Sequence, residues 1–96
     1  MLPSELPEEV ERALAPLMPV LTAAGLSPVK WVYSEQSFGN FAVDFLRLDR
    51  VITLTRDRGQ FMLSGDDRKS MEAAGLWRAF DSAEDMLPHL SKWFGL

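Results

Sequence analysis

The 96-residue chain contains no cysteine, a single histidine and a single tyrosine. No thiol nucleophile, thiolate metal site or pair of imidazoles can therefore be assembled, which removes most catalytic constellations at once. Long apolar runs are also missing. No stretch approaches the roughly 20 residues of a membrane span, and the first residues, Met1 to Glu9, lack the basic start and unbroken apolar run of a signal peptide. A cytoplasmic location is the expectation. Gly39 and Gly59 each stand alone, with no following Lys-Ser/Thr, so no phosphate-cradling loop is encoded. Neither a cofactor nor a metal is expected.

What is present suits one small core. Of the residues 47% are hydrophobic and 25% charged, with three Trp and six Phe in 10.8 kDa. A chain of this mass buries roughly 65% of its unfolded surface, enough for a single domain over residues 1–96. The net charge of −4 is uneven: −3 over residues 1–28, +1 over 29–65 and −2 over 66–96. Only Arg47, Arg50, Arg56 and Arg58 could form a basic face, and Asp44, Asp49 and Asp57 interleave with them. Mixed signs cancel over a Debye length of roughly 8–10 Å, which disfavours nucleic acid as a partner.

Leu6, Val10, Leu14, Leu17 and Leu21 recur at helical spacing behind a candidate cap at Ser4. Pro16 and Pro19 predict a break near Ala15, with a second helical piece reaching Ala24 and stopping at Gly25. From Val29 the period falls to two. Val29, Trp31 and Tyr33 alternate with Lys30, Val32 and Ser34; after a loop to Gly39, Phe41, Val43 and Phe45 alternate in a strand reaching Leu48. Val51 to Arg56 and Gln60 to Ser64 complete four strands, with turns at Asp49-Arg50 and Arg58-Gly59. Two-residue turns there pair Phe45 with Leu54, Val43 with Arg56, Leu54 with Leu63 and Arg56 with Phe61. One face then collects Phe41, Val43, Phe45, Ile52, Leu54, Phe61 and Leu63. The other carries Ala42, Asp44, Leu46, Leu48, Val51, Thr53, Thr55 and Met62.

Arg68 to Ala74 reads as a short helix closed by Gly75, with Trp77 and Phe80 anchoring the segment that follows. Ser82 and Asp85 then open a final helix whose apolar face is Met86, Leu87, Leu90, Trp93 and Phe94, with Pro88 implying regular bonding from about Asp85. The fold expected is α+β: an antiparallel sheet of about four strands with N- and C-terminal helices packed on one face.

Few residues carry chemistry. His89 shares a helical face with Asp85 and Trp93, an arrangement that could orient a general base but lacks a nucleophile nearby. Asp66, Asp67 and Glu72 lack calcium-loop spacing and read as a solvated turn and helix start. The most distinctive string is Arg56-Asp57-Arg58-Gly59-Gln60. It reads either as a solubilising hairpin tip or as a polar recognition tip, since arginine is favoured at interface hot spots. Leu46, Leu48, Val51 and Met62 on the second face are either covered by the segment around Trp77 or offered to a partner.

With Ser37-Phe-Gly-Asn40 in one hairpin and Arg56-Asp-Arg-Gly-Gln60 in the next, followed by a Trp-bearing loop and an amphipathic helix, the chain resembles short bacterial proteins that are uncharacterised or classed as toxin-immunity proteins. The resemblance implies a non-catalytic cytoplasmic protein that binds a cognate toxin, and an acidic surface would suit steering toward a basic one. The expectation is thus a non-enzymatic interaction module using Arg56, Asp57, Arg58, Gln60, Leu46, Leu48 and Met62. Two alternatives stand beside it. One is a small-molecule-binding or enzymatic domain with a pocket between helices and sheet lined by Trp31, Tyr33 and Trp77; the other is a homodimeric structural protein paired through Leu46, Leu48 and Met62.

Overall fold

In the computed structural model, which describes residues 6–34, 39–65 and 67–95, four consecutive strands form an antiparallel meander. Two short helices precede it, α1 (Glu8–Leu14) and α2 (Met18–Ala23). The strands are β1 (Ser27–Ser34), β2 (Asn40–Arg47), β3 (Arg50–Asp57) and β4 (Gln60–Gly65), in sheet order β1-β2-β3-β4. Helices α3 (Arg68–Ala73) and α4 (Ala83–Phe94) follow. The α+β class, the open antiparallel sheet and the terminal helices are as the periodicities predict. No helix among the described residues is long and apolar enough to cross a membrane.

The proline spacing breaks the N-terminal helix where expected, at Ala15 to Leu17, because Pro19 at the start of α2 can supply no backbone donor to a continuous helix. The expected cap Ser4 lies outside the described residues; Pro7 occupies the position before α1, with Glu8, Glu9 and Glu11 in the first turn. Val10, Leu14, Leu17 and Leu21 are fully buried and Leu6 nearly so. They meet Phe41, Val43, Phe45, Ile52, Leu54, Phe61 and Leu63 from the sheet, and Met86 and Leu90 from α4, in one continuous core.

Three local expectations are corrected. The β2–β3 turn is Leu48-Asp49, so Arg47 pairs with Arg50, Phe45 with Ile52, Val43 with Leu54 and Phe41 with Arg56. This register differs by two residues from the expected one, and an even shift leaves every side chain on its expected face. Leu48 holds the turn at φ 57°, which nothing in a leucine side chain signals. The β3–β4 pairing of Leu54 with Leu63 and Arg56 with Phe61 is as predicted.

The second correction concerns β1, which begins at Ser27 and has an irregularity between Pro28 and Lys30. The extra residue turns Val29 outward, 39% exposed, while Pro28 is buried in its place. On an edge strand, a proline costs no ladder bond if its nitrogen side is unpaired. The third concerns the loop before α4. Phe80 is an anchor, 1% exposed and bridged to Phe61 by reciprocal backbone bonds of 2.7 and 2.8 Å, but Trp77 is 37% exposed and the wholly buried neighbour is Leu76.

Helix α4 is capped as predicted, Ser82 Oγ accepting from the Asp85 amide at 3.0 Å, although it starts at Ala83 and runs through Pro88. Its His89 and Trp93 both reach α3. The Ala74 carbonyl accepts from His89 Nδ1 at 3.0 Å, and Trp93 Nε1 donates to Ser70 Oγ at 2.8 Å. Two hydrogen bonds thus clamp a six-residue helix that would not be stable alone.

Candidate functional site

Because the helices all sit against one face of the sheet, the other is bare. Register sorts its side chains into rows. Val32, Ala42, Thr55 and Met62 form one row; Lys30, Asp44, Thr53 and Ser64 the next; Leu46 and Val51 a third. The face therefore reads apolar, polar, apolar across about 13 Å of strand. In the middle row Thr53 Oγ1 donates to Asp44 Oδ1 at 2.7 Å, which fixes that carboxylate. The first row is a shallow trough: Ala42 and Thr55 are its low floor, while Val32, Met62 and Trp77 stand along it. Two hollows of about 300 Å³ sharing Thr55 and Met62 make it up, one reaching Val32 and the other Trp77 and Arg78. Trp77 overhangs the β4 side under the Arg68 guanidinium, 5.0 Å from its ring centre, but leaves the face uncovered.

Of the residues singled out in the sequence, Leu46 and Met62 lie on this face in different rows, and Leu48 projects from the adjoining hairpin tip with 88% of its surface exposed. Val32 and Val51, at 63% and 45%, are exposed over a larger fraction of their surface than Leu46 or Met62. The alternation places Val32 with Lys30 and Ser34, away from Trp31 and Tyr33, but the long loop after Ser34 fixes no register, so the sequence does not set it beside Ala42 and Met62.

The polar string is largely occupied by internal bonds. Arg56 is on the helix-facing side, its guanidinium 5.1 Å from the Phe41 ring centre and donating to the Gly39 carbonyl at 3.0 Å. Asp57 accepts from Asn40 Nδ2 at 3.0 Å, and Asn40 Oδ1 accepts from the Arg58 amide at the same distance. Asn40, the last residue of the Ser37-Phe-Gly-Asn40 string, thereby staples the two hairpins together. Gln60 donates to Asp81 at 3.1 Å. Only the Arg58 side chain is without a partner among the described residues. The Arg58 tip and the Leu48 tip lie at opposite ends of β3, so these candidates do not form one patch.

Trp31 and Tyr33 lie on β1, half-buried against the core beside Val43 and Phe41. Trp77 lies beyond β4, at the other edge of the sheet. The structure does not bring these three together around a pocket. His89 is packed on Phe80 with ring centres 5.4 Å apart and bonded to Ala74, so its ring is part of the α3–α4 joint. Among the described residues no three His, Asp or Glu side chains gather in a way that could hold a metal ion. Asp67 caps α3, and hydrogen bonds from Ser70, side chain first and amide second, hold its carboxyl below the usual carboxylate range; Arg50 adds to this and slight burial opposes it. Comparison with protein-family profiles, curated proteins and solved structures returns no match to this chain.

Leu48 gives a local prediction. A leucine in the left-handed region is strained by about 1 kcal/mol, whereas asparagine tolerates that region. Leu48→Asn is expected to raise the unfolding free energy by about 0.5–1 kcal/mol, seen as a higher urea midpoint at constant slope. A lowered midpoint would mean that the leucine side chain makes a stabilising contact that outweighs its backbone strain.

Proposed function

We propose that the protein is a non-enzymatic interaction module that docks a partner protein on the bare face of its sheet, with Leu48 as a projecting knob at one end. The observation that carries this reading is the pair of exposed apolar bands, Val32–Ala42–Thr55–Met62 and Leu46–Val51, left open while every helix packs on the opposite side. Exposed apolar bands on either side of a polar strip are what a docking face offers. An apolar ridge on the partner would lie in the trough, and groups near it would meet Lys30 and Asp44.

The partner that best fits the charge is a basic protein. At −4 the chain attracts one at long range, and steering of this sort speeds association more than it deepens affinity. A cytoplasmic immunity role against a cognate basic toxin is the version we favour; it accords with the resemblance of the hairpin strings.

The test places a photo-activated crosslinking residue at Val51 or Met62, and at Glu11 or Glu84 on the helical side as controls, in cells that make the native protein. One protein, captured from the sheet positions only, should then bind in purified form, faster at low salt. Val51→Lys with Met62→Lys should weaken that complex at least tenfold, roughly the loss of one central anchor. Capture of a second copy of the chain, with a dimer that dissociates in the same double variant, would replace this reading with self-association. Equal capture at all four positions would sink it.

A further inference from the structure

A second concavity lies on the helix side, at the far end of the β2–β3 hairpin, and shares none of the outer-face rows. It encloses about 330 Å³ between the hairpin, the start of α3 and the end of α4. Leu26 and Ile52 are its buried floor, and the rings of Trp93 and Phe94, 4.9 Å apart and tilted by 38°, form one wall. Trp93 is held in place, because its indole N–H is already given to Ser70. Arg47 and Arg50 form the opposite wall.

These two arginines are direct cross-strand partners. Like charges so placed repel, and a protein normally separates or neutralises them. Here neutralisation is incomplete. Arg50 comes no closer than 4.0 Å to Asp67, whose carboxylate also caps α3, and Arg47 has no partner among the described residues. Within an acidic chain, the described residues lining the cleft thus combine two guanidinium groups with one carboxylate, a surplus of one positive charge beside an aromatic wall.

We propose that this cleft binds a monoanionic carboxylate carrying an apolar group, the carboxylate forked by Arg47 and Arg50 and the apolar group laid against Trp93, Phe94 and Ile52. Guanidinium geometry matches a carboxylate in two parallel hydrogen bonds. The single surplus charge suits a monoanion better than a phosphate dianion. The volume lies at the lower end of the range for small-ligand sites, sufficient for one ring or branched chain with its acid. Two sources share this chemistry: a free aryl or alkyl carboxylic acid, and the C-terminal carboxylate of a peptide ending in an apolar residue.

The experiment titrates the ¹⁵N-labelled protein with 3-phenylpropionate, with 3-phenylpropanamide, with inorganic phosphate and with a short peptide ending in phenylalanine as acid or amide. Saturable shifts of the Trp93 indole N–H and the Leu26 and Ile52 amides are expected with the acids. Affinity should fall about tenfold or more for each amide, the loss of a charge-assisted hydrogen-bond pair. Tighter binding of the peptide acid than of 3-phenylpropionate assigns a peptide terminus; the reverse order assigns a free acid. Arg47→Gln with Arg50→Gln, both exposed, should abolish the shifts while leaving the rest of the amide spectrum in place. Equal binding of acid and amide, stronger binding of phosphate, or no saturation by either acid would overturn the proposal. None of these results depends on occupancy of the outer sheet face.

Discussion

Replacing Phe80 with alanine should lower the unfolding free energy by about 3–5 kcal/mol, whereas Trp77→Ala, three residues away, should cost about 1 kcal/mol or less. The two aromatic residues look equivalent in sequence, each following a helix stop in an irregular segment. Their surroundings differ. Phe80 is 1% exposed, stacked 5.4 Å from the His89 ring and covered by the Arg78 guanidinium at 4.8 Å. Truncation leaves a cavity that the β4 backbone cannot close, because Phe61 and Phe80 are tied by reciprocal main-chain bonds. Trp77 has 37% of its surface in solvent and rests on the rim of the outer trough. A domain of this length has a total stability of about 5–14 kcal/mol, so the Phe80 variant should lose between a fifth and most of it. Paired urea denaturation of both variants gives the answer. Similar losses would show that the loop is held by both rings and that the ranking by burial is mistaken.

The contrast between these neighbours indicates what the linear pattern could convey. Alternation encodes which face a strand residue occupies, and it did so for Phe41, Val43, Phe45, Leu54 and Leu63, even though the β2–β3 turn was displaced, since a two-residue slip preserves parity. Arg58-Gly59 was readable because glycine accepts a positive φ and marks the turn. Leu48-Asp49 was not, as leucine advertises no such tolerance. The irregularity after Pro28 was also invisible: it shifts a strand by one residue, reverses the side that Val29 faces, and leaves the composition unaltered.

For the candidate site, the sequence supplied the outer-face residues of β2, β3 and β4, apart from Leu48 in the turn, but neither Val32 nor the openness of the face. Whether Leu46, Val51 and Met62 are covered depends on where the Trp77 segment runs, and that path is set by the Phe61–Phe80 bridge, a contact between residues nineteen apart. The polar string raised the converse problem. Arg56, Asp57 and Gln60 look free in a hairpin, yet each is bonded to a group distant in the chain: Gly39, Asn40 and Asp81. The Arg47–Arg50 cleft required both kinds of information. Its cations flank the Leu48-Asp49 turn, which the sequence pattern places one residue too late, and its aromatic wall is the end of a helix more than forty residues later.

Gly75→Ala should be destabilising by about 2–4 kcal/mol, for two separable reasons. Gly75 sits at φ 78° after α3, where an L side chain costs about 1–2 kcal/mol. A Cβ added there would also lie 2.8 Å from His89 Nδ1 and 3.1 Å from Cε1. The ring has little freedom to retreat, because Nδ1–H donates to the Ala74 carbonyl and the ring stacks on Phe80. Moving it would break the hydrogen bond that fastens α4 to the end of α3, at a cost of about 1 kcal/mol. A double-mutant cycle separates the contributions. His89→Ala alone loses the bond and some packing, but in its background the Gly75→Ala penalty should shrink to the backbone part, leaving a coupling of about 1–2 kcal/mol between the two sites. Additive losses would mean that the imidazole moves aside freely and that its bond to Ala74 does not hold the joint. A Gly75→Ala penalty below about 1 kcal/mol in the wild-type background would contradict both the backbone and the contact arguments, since the φ cost persists however the histidine responds.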